Sequence, residues 1–440
     1  MTARPEALYL DDYANRKAAL PGGKFSWVAN LREEGIARFD ALGFATPKHE
    51  EWKYTNLKPL VRTDFGAASS TVSDITQDCV APHLLADAHC LVFVDGHLRP
   101  NLSRLVQIPA DVRASDLAKL LETEPDLLEP HLGRVAQLDG QAPLALNTAL
   151  MNGGAVVAVH GQVAEPIQLL FFTTAQDRPV ATHLRNLLIA APGSSATVLE
   201  THVSAGGGIY WTNAATEVSC AANSSLSHFK LQAESVDAFH LALTSIHLSA
   251  GARYQNFAMS HGARLSRNEI RVALTGEDGE CQLNGVFLGR GRQHLDTTTM
   301  IDHQHAGSRS DQFYKGVLDD GAHGVFQGKI IVRPGAQRTN AHQLNKNLLL
   351  TPTAQMDSKP ELEIHADDVK CGHGAAVGDL DAEGLFYLRA RGLDETSARQ
   401  MMIAAFIDEL IANVTPDSAR NHFSGSAAEF LDGDSSVAGQ

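Results

Sequence analysis

A mainly β chain, wound as a solenoid and flanked by helical regions, is the fold class the sequence predicts. Three observations carry it. Between Gly153 and Gly378 the chain runs through short β-rich segments such as "GAVVAVHG", "PIQLLFF", "ATVLETHV", "NEIRVALT" and "GKIIVRPG", each of strand length and bounded by turn residues. Of the 36 glycines, 23 fall in that interval, mostly at segment ends. No amphipathic helix interrupts the series, whereas a doubly wound sheet needs a crossover helix between parallel strands. An antiparallel sandwich or a solenoid remains. Loose self-similarity, with "GVFLGRG" at Gly285 echoed by "GVFQGKI" at Gly324, favours the solenoid, where each rung stacks on its neighbour. The amide series Asn340, Gln343, Asn345 and Asn347 is then expected to form stacked rows at rung corners.

The elements follow in chain order. Residues 1–152 read as a mostly helical N-terminal domain. In "FSWVANLREEGIARFDALGF" the apolar residues Trp27, Val28, Leu31, Ile36, Phe39 and Leu42 recur at helical spacing. "TPKHEEWKYTNL" opens on a turn-like Thr46-Pro47, and "CLVFVDGHL" reads as a hairpin because Asp95-Gly96 suits positive dihedrals. Residues 115–150 return to a helical pattern, and 153–378 form the β core.

Residues 379–416 read as a C-terminal helical domain. "DAEGLFYLRARG" is one helix closed by Gly392. A second follows Asp394 or Thr396 as N-cap and stops near Pro416. It carries two apolar faces, Ala398, Met401, Met402, Ala405 and Phe406 on one and Ile403, Ile407, Leu410 and Ile411 on the other. Such a helix is deeply buried or covered by two neighbours. Residues 417–440 read as a flexible tail.

Composition narrows the function classes. The formal charge is −15 and no Lys/Arg-rich run stands out, which argues against nucleic acid or an anionic membrane as the main partner. The N-terminus lacks the apolar run of a signal peptide, and no stretch is long enough to span a bilayer. Five scattered cysteines, never as CxxC, fit a reducing cytoplasm. There is no GxxxxGK[ST] loop, GxSxG elbow, HExxH or dinucleotide fingerprint. Any nucleotide energy is expected from another polypeptide.

One stretch concentrates the chemistry: "VKCGHGAAVG", residues 369–378. On a strand Cys371 and His373 project from one face, and Gly372, Gly374 and Gly378 leave room for an approaching partner. Lys370 and His373 are expected to favour the Cys371 thiolate. Zinc and iron–sulfur centres take about four ligands, so two residues make half a site. The rest would come from His303 and His305 in "HQH" or from another chain. A nucleophile–base pair for acyl or amide transfer and a plain buried Cys–His pair are the alternatives, and His303 and His305 also read as solvated turn residues. A carbohydrate-active or adhesive solenoid would suit a secreted protein, and no carboxylate pair stands out for it.

From about residue 300 to 411 the chain closely resembles the SufB/SufD family of the SUF iron–sulfur cluster assembly machinery. The stretches that carry this are "HQHAGSRSDQFYKGVLDDGAHGVFQGKIIVRPGAQRTNAHQLNKNLLL" and "KCGHGAAVG", the latter like the SufD version of the segment, with "EEWKYTNL" near the N-terminus. The resemblance is weak between residues 66 and 250. It implies a right-handed parallel β-helix between two helical domains and a non-enzymatic scaffold role. The implied partners are a SufB-like paralogue bound through the β-helices and a SufC-like ABC ATPase. The latter docks on the second C-terminal helix at Met401, Met402, Ala405, Phe406 and Leu410. A transient iron–sulfur cluster at the paralogue interface is implied, with His373 the stronger and Cys371 the weaker assembly residue or ligand. A reduced flavin accompanies such complexes, though no residue here points to it. A homodimer through the same edge is a second option for the isolated chain. Gly372 and Ala376 stand where the family often has serine and threonine, departures that remove no ligand.

Overall fold

The computed structural model describes residues 4–68, 75–105, 108–174 and 176–433. Among them, strands alternate along the chain between two facing ten-stranded sheets, here A and B. Each core strand pairs in parallel with the strand two places earlier. In sheet A, Val180–Ala190 pairs with Tyr210–Cys220, and that strand with Phe239–Leu248. In sheet B, Ser195–Ala205 pairs with Ser225–Ala233. This is a parallel β-solenoid, and the sandwich alternative falls with the absence of antiparallel pairing among these core strands.

The rung is uneven. Phe239 pairs with Leu265 and His323 with Gln355, so a rung takes between 26 and 32 residues. The echo of Gly285 in Gly324 is not a stacked pair, because Glu280–Gly289 belongs to sheet B and His323–Val332 to sheet A. The amides are also placed differently from expectation. Gln343, Asn345 and Asn347 alternate along Asn340–Leu349 and are all buried, so they face the interior rather than a corner.

Alternation along each strand separates three layers. Inward residues such as Leu169, Phe171, Val198, Ile246, Leu283 and Ile301 form the central core. That interior also holds a charged belt. Glu200 accepts from Thr216 Oγ1 at 2.8 Å and lies 3.1 Å from His228 Nε2, while Glu234 accepts from Thr212 Oγ1 at 2.7 Å. Outward residues of sheet A, among them Trp211, Phe239, Leu241 and Leu265, are covered by the N-terminal helices Ala7–Arg16, Ser26–Leu42 and Ala142–Leu150. Outward residues of sheet B, including Phe229, Phe257, Met259 and Val317, are covered by the helices Glu395–Ile411 and Asp417–Asp432.

The "EEWKYTNL" stretch is a clasp on sheet A. Trp52 is buried beneath the Arg267 guanidinium, 4.1 Å from the ring centroid. Arg267 bonds Glu269 at 2.9 Å and Asp296 at 2.5 Å. Thr55 reaches His294 Nε2 at 2.8 Å and donates to Asp296. Residues from about Glu51 to Leu57 are thereby tied to successive rungs.

Two regions depart from expectation. Within 1–152, His89–Val94 pairs in parallel with Ile167–Thr174, and Val112–Asp116 pairs with Ala155–Val159, so strands of the solenoid sheets begin before residue 153. The Asp95-Gly96 hairpin is present, with φ of 51° and 85°. The expected tail contains a helix, Asp417–Asp432, because Ala419, Phe423, Ala427 and Leu431 fall four apart and bury one face. Residues 434–440 of that tail lie outside the described residues.

The two solenoid ends differ. At the first, the short antiparallel strands His97–Leu98 and Val112–Asp116 close the sheets. At the other, Gln355–Ile364 ends sheet A and Lys370–Gly378 ends sheet B, and neither strand contains a buried residue. Among the described residues, nothing caps this terminal rung.

Candidate functional site

Cys371 and His373 both sit on that terminal rung. In register, Cys371 stands over Ala341 and His373 over Gln343. Ala341 and Gln343 are buried, so both columns run along the inward face, as the two-residue spacing predicts. With no further strand stacked on it among the described residues, His373 is exposed at the open mouth of the solenoid.

Cys371 is only half-buried and packs against Ile330, Val332, Ala336 and Ala341. Burial pushes its thiol up, with a backbone hydrogen bond at Ala341 acting the other way. The expected thiolate is therefore not favoured in this chain: neither Lys370 nor His373 outweighs the loss of solvent.

His303 is buried, not solvated. Its Nδ1 lies 2.7 Å from Ser308 Oγ and its Nε2 2.9 Å from Ser310 Oγ, and burial holds it down at about 4. Both ring nitrogens are taken, so it does not complete a site with Cys371. His305 is exposed in the following turn. Among the described residues, no three His, Cys, Asp or Glu side chains are arranged to hold a metal ion. Cys371 and His373 gain no further ligand from the described residues of this chain.

The helix Glu395–Ile411 starts where Asp394 caps the Ser397 N–H at 2.9 Å, after Gly392 turns the chain with φ 98°. Its two apolar faces meet different fates. Ile403, Ile407, Leu410 and Ile411 are buried against sheet B, so Leu410 is committed to the fold and is not a surface residue. Met401 is 51% exposed and Ala405 is also exposed. Met402 and Phe406 are half-buried, Met402 beside Gly384 and Phe406 under the Lys315 ammonium at 4.3 Å. Next to Met401's helix, Phe386 and Tyr387 are 73% and 57% exposed. Sequence reasoning passed over these two. The available signal was four consecutive apolar residues, Leu385 to Leu388, in a nine-residue helix, which cannot all face one side.

Compared with known proteins, the chain matches the family described as SUF system FeS cluster assembly, SufBD core domain, over residues 171–406. It matches the SufBD protein N-terminal region over residues 3–169. It is 32% identical over 411 residues to an iron–sulfur cluster assembly SufBD family protein of Synechocystis, covering 90% of each chain. It is 34% identical over 372 residues to the iron–sulfur cluster assembly protein SufD of Escherichia coli, covering 84% of this chain and 85% of that one. The Bacillus subtilis SufD is 27% identical over 405 residues, 88% and 90% of the two chains. The chain belongs to the SufBD family of iron–sulfur cluster assembly proteins.

Proposed function

We propose that the chain is a non-enzymatic scaffold subunit that docks its open rung against a SufB-like paralogue and assembles a transient iron–sulfur cluster at the seam. The observation that carries this reading is the uncapped terminal rung with His373 exposed at its mouth. Such an edge offers a row of unpaired backbone groups, and a half-site there becomes useful when a second chain supplies the missing ligands. His373 is the donor in this scheme. Cys371, half-buried with a raised thiol, is the lesser contributor.

A SufC-like ATPase, supplying the nucleotide chemistry, docks on the exposed face formed by Met401 and Ala405 with Phe386 and Tyr387. Met402 and Phe406 lie at its margin, and Leu410 supports it from beneath. Three clefts among the described residues offer nothing specific to the reduced flavin that the family resemblance implies. The clefts of about 400 Å³ beside Arg253 and Arg309, about 230 Å³ beside Glu50 and about 350 Å³ beside His422 are lined by no exposed Trp, Tyr or Phe face, and no step is routed through a flavin. The rival reading, a stand-alone Cys–His enzyme, needs an activated thiolate that the burial of Cys371 disfavours. Among the described residues, no helix is long and apolar enough to cross a membrane, and the proposed setting is the cytoplasm.

Anaerobic co-purification of the chain with SufB-like and SufC-like partners, followed by iron and sulfide analysis, tests the scheme. His373→Ala should leave the complex intact while lowering bound iron and sulfide at least about tenfold, the scale on which ligand-shell losses act. Wild-type yield from that variant would remove His373 from the assembly step.

A further inference from the structure

We infer that Gln343 is the positioning residue of the terminal-rung site. It holds the His373 imidazole in the tautomer whose outward nitrogen carries a lone pair for a divalent iron or similar borderline metal ion. This rests on the role given to His373 above.

The column beneath His373 is Gln312, Gln343, His373, paired strand by strand. Gln343 is 2% exposed, yet neither its Nε2 nor its Oε1 has a hydrogen-bond partner. A buried amide left unpaired carries the full cost of its lost hydration. Asn345 and Asn347, further along the same strand, are partnered. Asn347 Nδ2 donates to Asn345 Oδ1 at 2.7 Å, and Ser358 Oγ donates to the same oxygen at 2.9 Å. Deeper in the column, Gln312 Oε1 accepts from Thr299 Oγ1 at 2.7 Å, while its Nε2 has no partner. Gln343 is thus the fully unpartnered amide directly behind the candidate site.

The opposite sheet makes room for it. A methyl group on Gly328 would fall 1.8 Å from Gln343 Nε2, so the glycine is needed for that amide to lie in the interior. Parallel neighbours are about 4.8 Å apart, within reach of an imidazole N–H and an amide oxygen on adjacent strands. The column then reads as a relay. With the Gln343 amide turned along the column, the inward His373 N–H would donate to Gln343 Oε1 and Gln343 Nε2–H to Gln312 Oε1, whose second lone pair is available. Metal-binding histidines usually donate their other ring N–H to a carbonyl or carboxylate in this way. That leaves the outward nitrogen unprotonated and facing the seam.

A filler role for Gln343 makes the opposite forecast about substitutions, which allows a clean test. With the full chain in its co-purified complex, ¹H–¹⁵N spectra at alkaline pH report the His373 tautomer, and a titration with Co²⁺ alone reports metal affinity. Wild type should show one tautomer, protonated on the nitrogen nearer Gln343. Gln343→Leu, or the nearly isosteric Gln343→Met where leucine disturbs packing, should give mixed tautomers and weaken Co²⁺ binding about 10- to 100-fold. Gln343→Glu, whose carboxylate accepts the same N–H, should retain both properties, whereas a filler site would tolerate Leu and suffer from Glu. Unchanged tautomer and affinity in both apolar variants, or the opposite tautomer in wild type, overturns the inference. Full cluster yield from His373→Ala would instead remove the site's function and leave the tautomer result standing, so the two failures are separable.

Discussion

His303 shows how one side chain's surroundings set a measurable property. Burial lowers its folded value to about 4, against about 6.5 for a free imidazole, so the unfolded chain binds the proton more tightly. Its contribution is complete above pH 6.5 and is lost as pH falls from there toward 4, on the order of 3 kcal/mol. His261, His294 and His422 are lowered to about 4 by the same cause. Thermal unfolding at pH 7.5 and pH 5 should show a marked loss of stability at the lower value, and His303→Gln, which keeps a partner for the serines, should remove part of that slope. A flat profile would mean that these rings remain accessible to protons in the fold. The sequence read His303 as solvated because it falls in a polar "HQH" turn. What buries it is Ser308 and Ser310 closing over the ring, and Ser310 belongs to the opposite sheet. The same limit governed Cys371. Its face was legible from the two-residue spacing, but its burial depends on Ala341 one rung below and Ile330 across the interior.

At the scale of elements, local chemistry was the reliable guide. Asp381, Gly392 and Asp394 mark the C-terminal helix ends because each meets a backbone requirement on the spot. Strand existence was legible too, but not which sheet a strand joins, since a rung of uneven length leaves no periodic trace. The helix Asp417–Asp432 was missed because its serines, Gly425, Asn421 and His422 weaken helical propensity, and tertiary contact supplies what propensity does not. Phe423 is fully buried, edge-on to Phe257 at 4.8 Å and to Phe229 at 6.4 Å. Phe423→Ala should therefore cost about 3–5 kcal/mol, read as a lowered denaturation midpoint. A change under about 1 kcal/mol would mean that the helix contributes little to covering sheet B.

Across the whole molecule, the order of the parts follows from which surfaces need cover. The N-terminal helices and the Trp52 clasp take the outward face of sheet A, the last two helices take that of sheet B, and the chain spends nothing on its final rung. That asymmetry has a consequence for stoichiometry. A stack of rungs that is closed at one end and open at the other can accept a single neighbour and then has no edge left to extend. The open strand in sheet A also carries Pro360, which has no N–H to donate, among Lys359, Glu361 and Glu363, so a flat apolar edge is not offered to indiscriminate strand addition. Light scattering of the purified chain, alone or with the proposed SufB-like partner, should accordingly resolve particles containing at most two solenoids at any concentration. Filaments growing from the open rung would contradict it. Under the proposed docking, assembly is limited by direction, beginning and terminating at the same face.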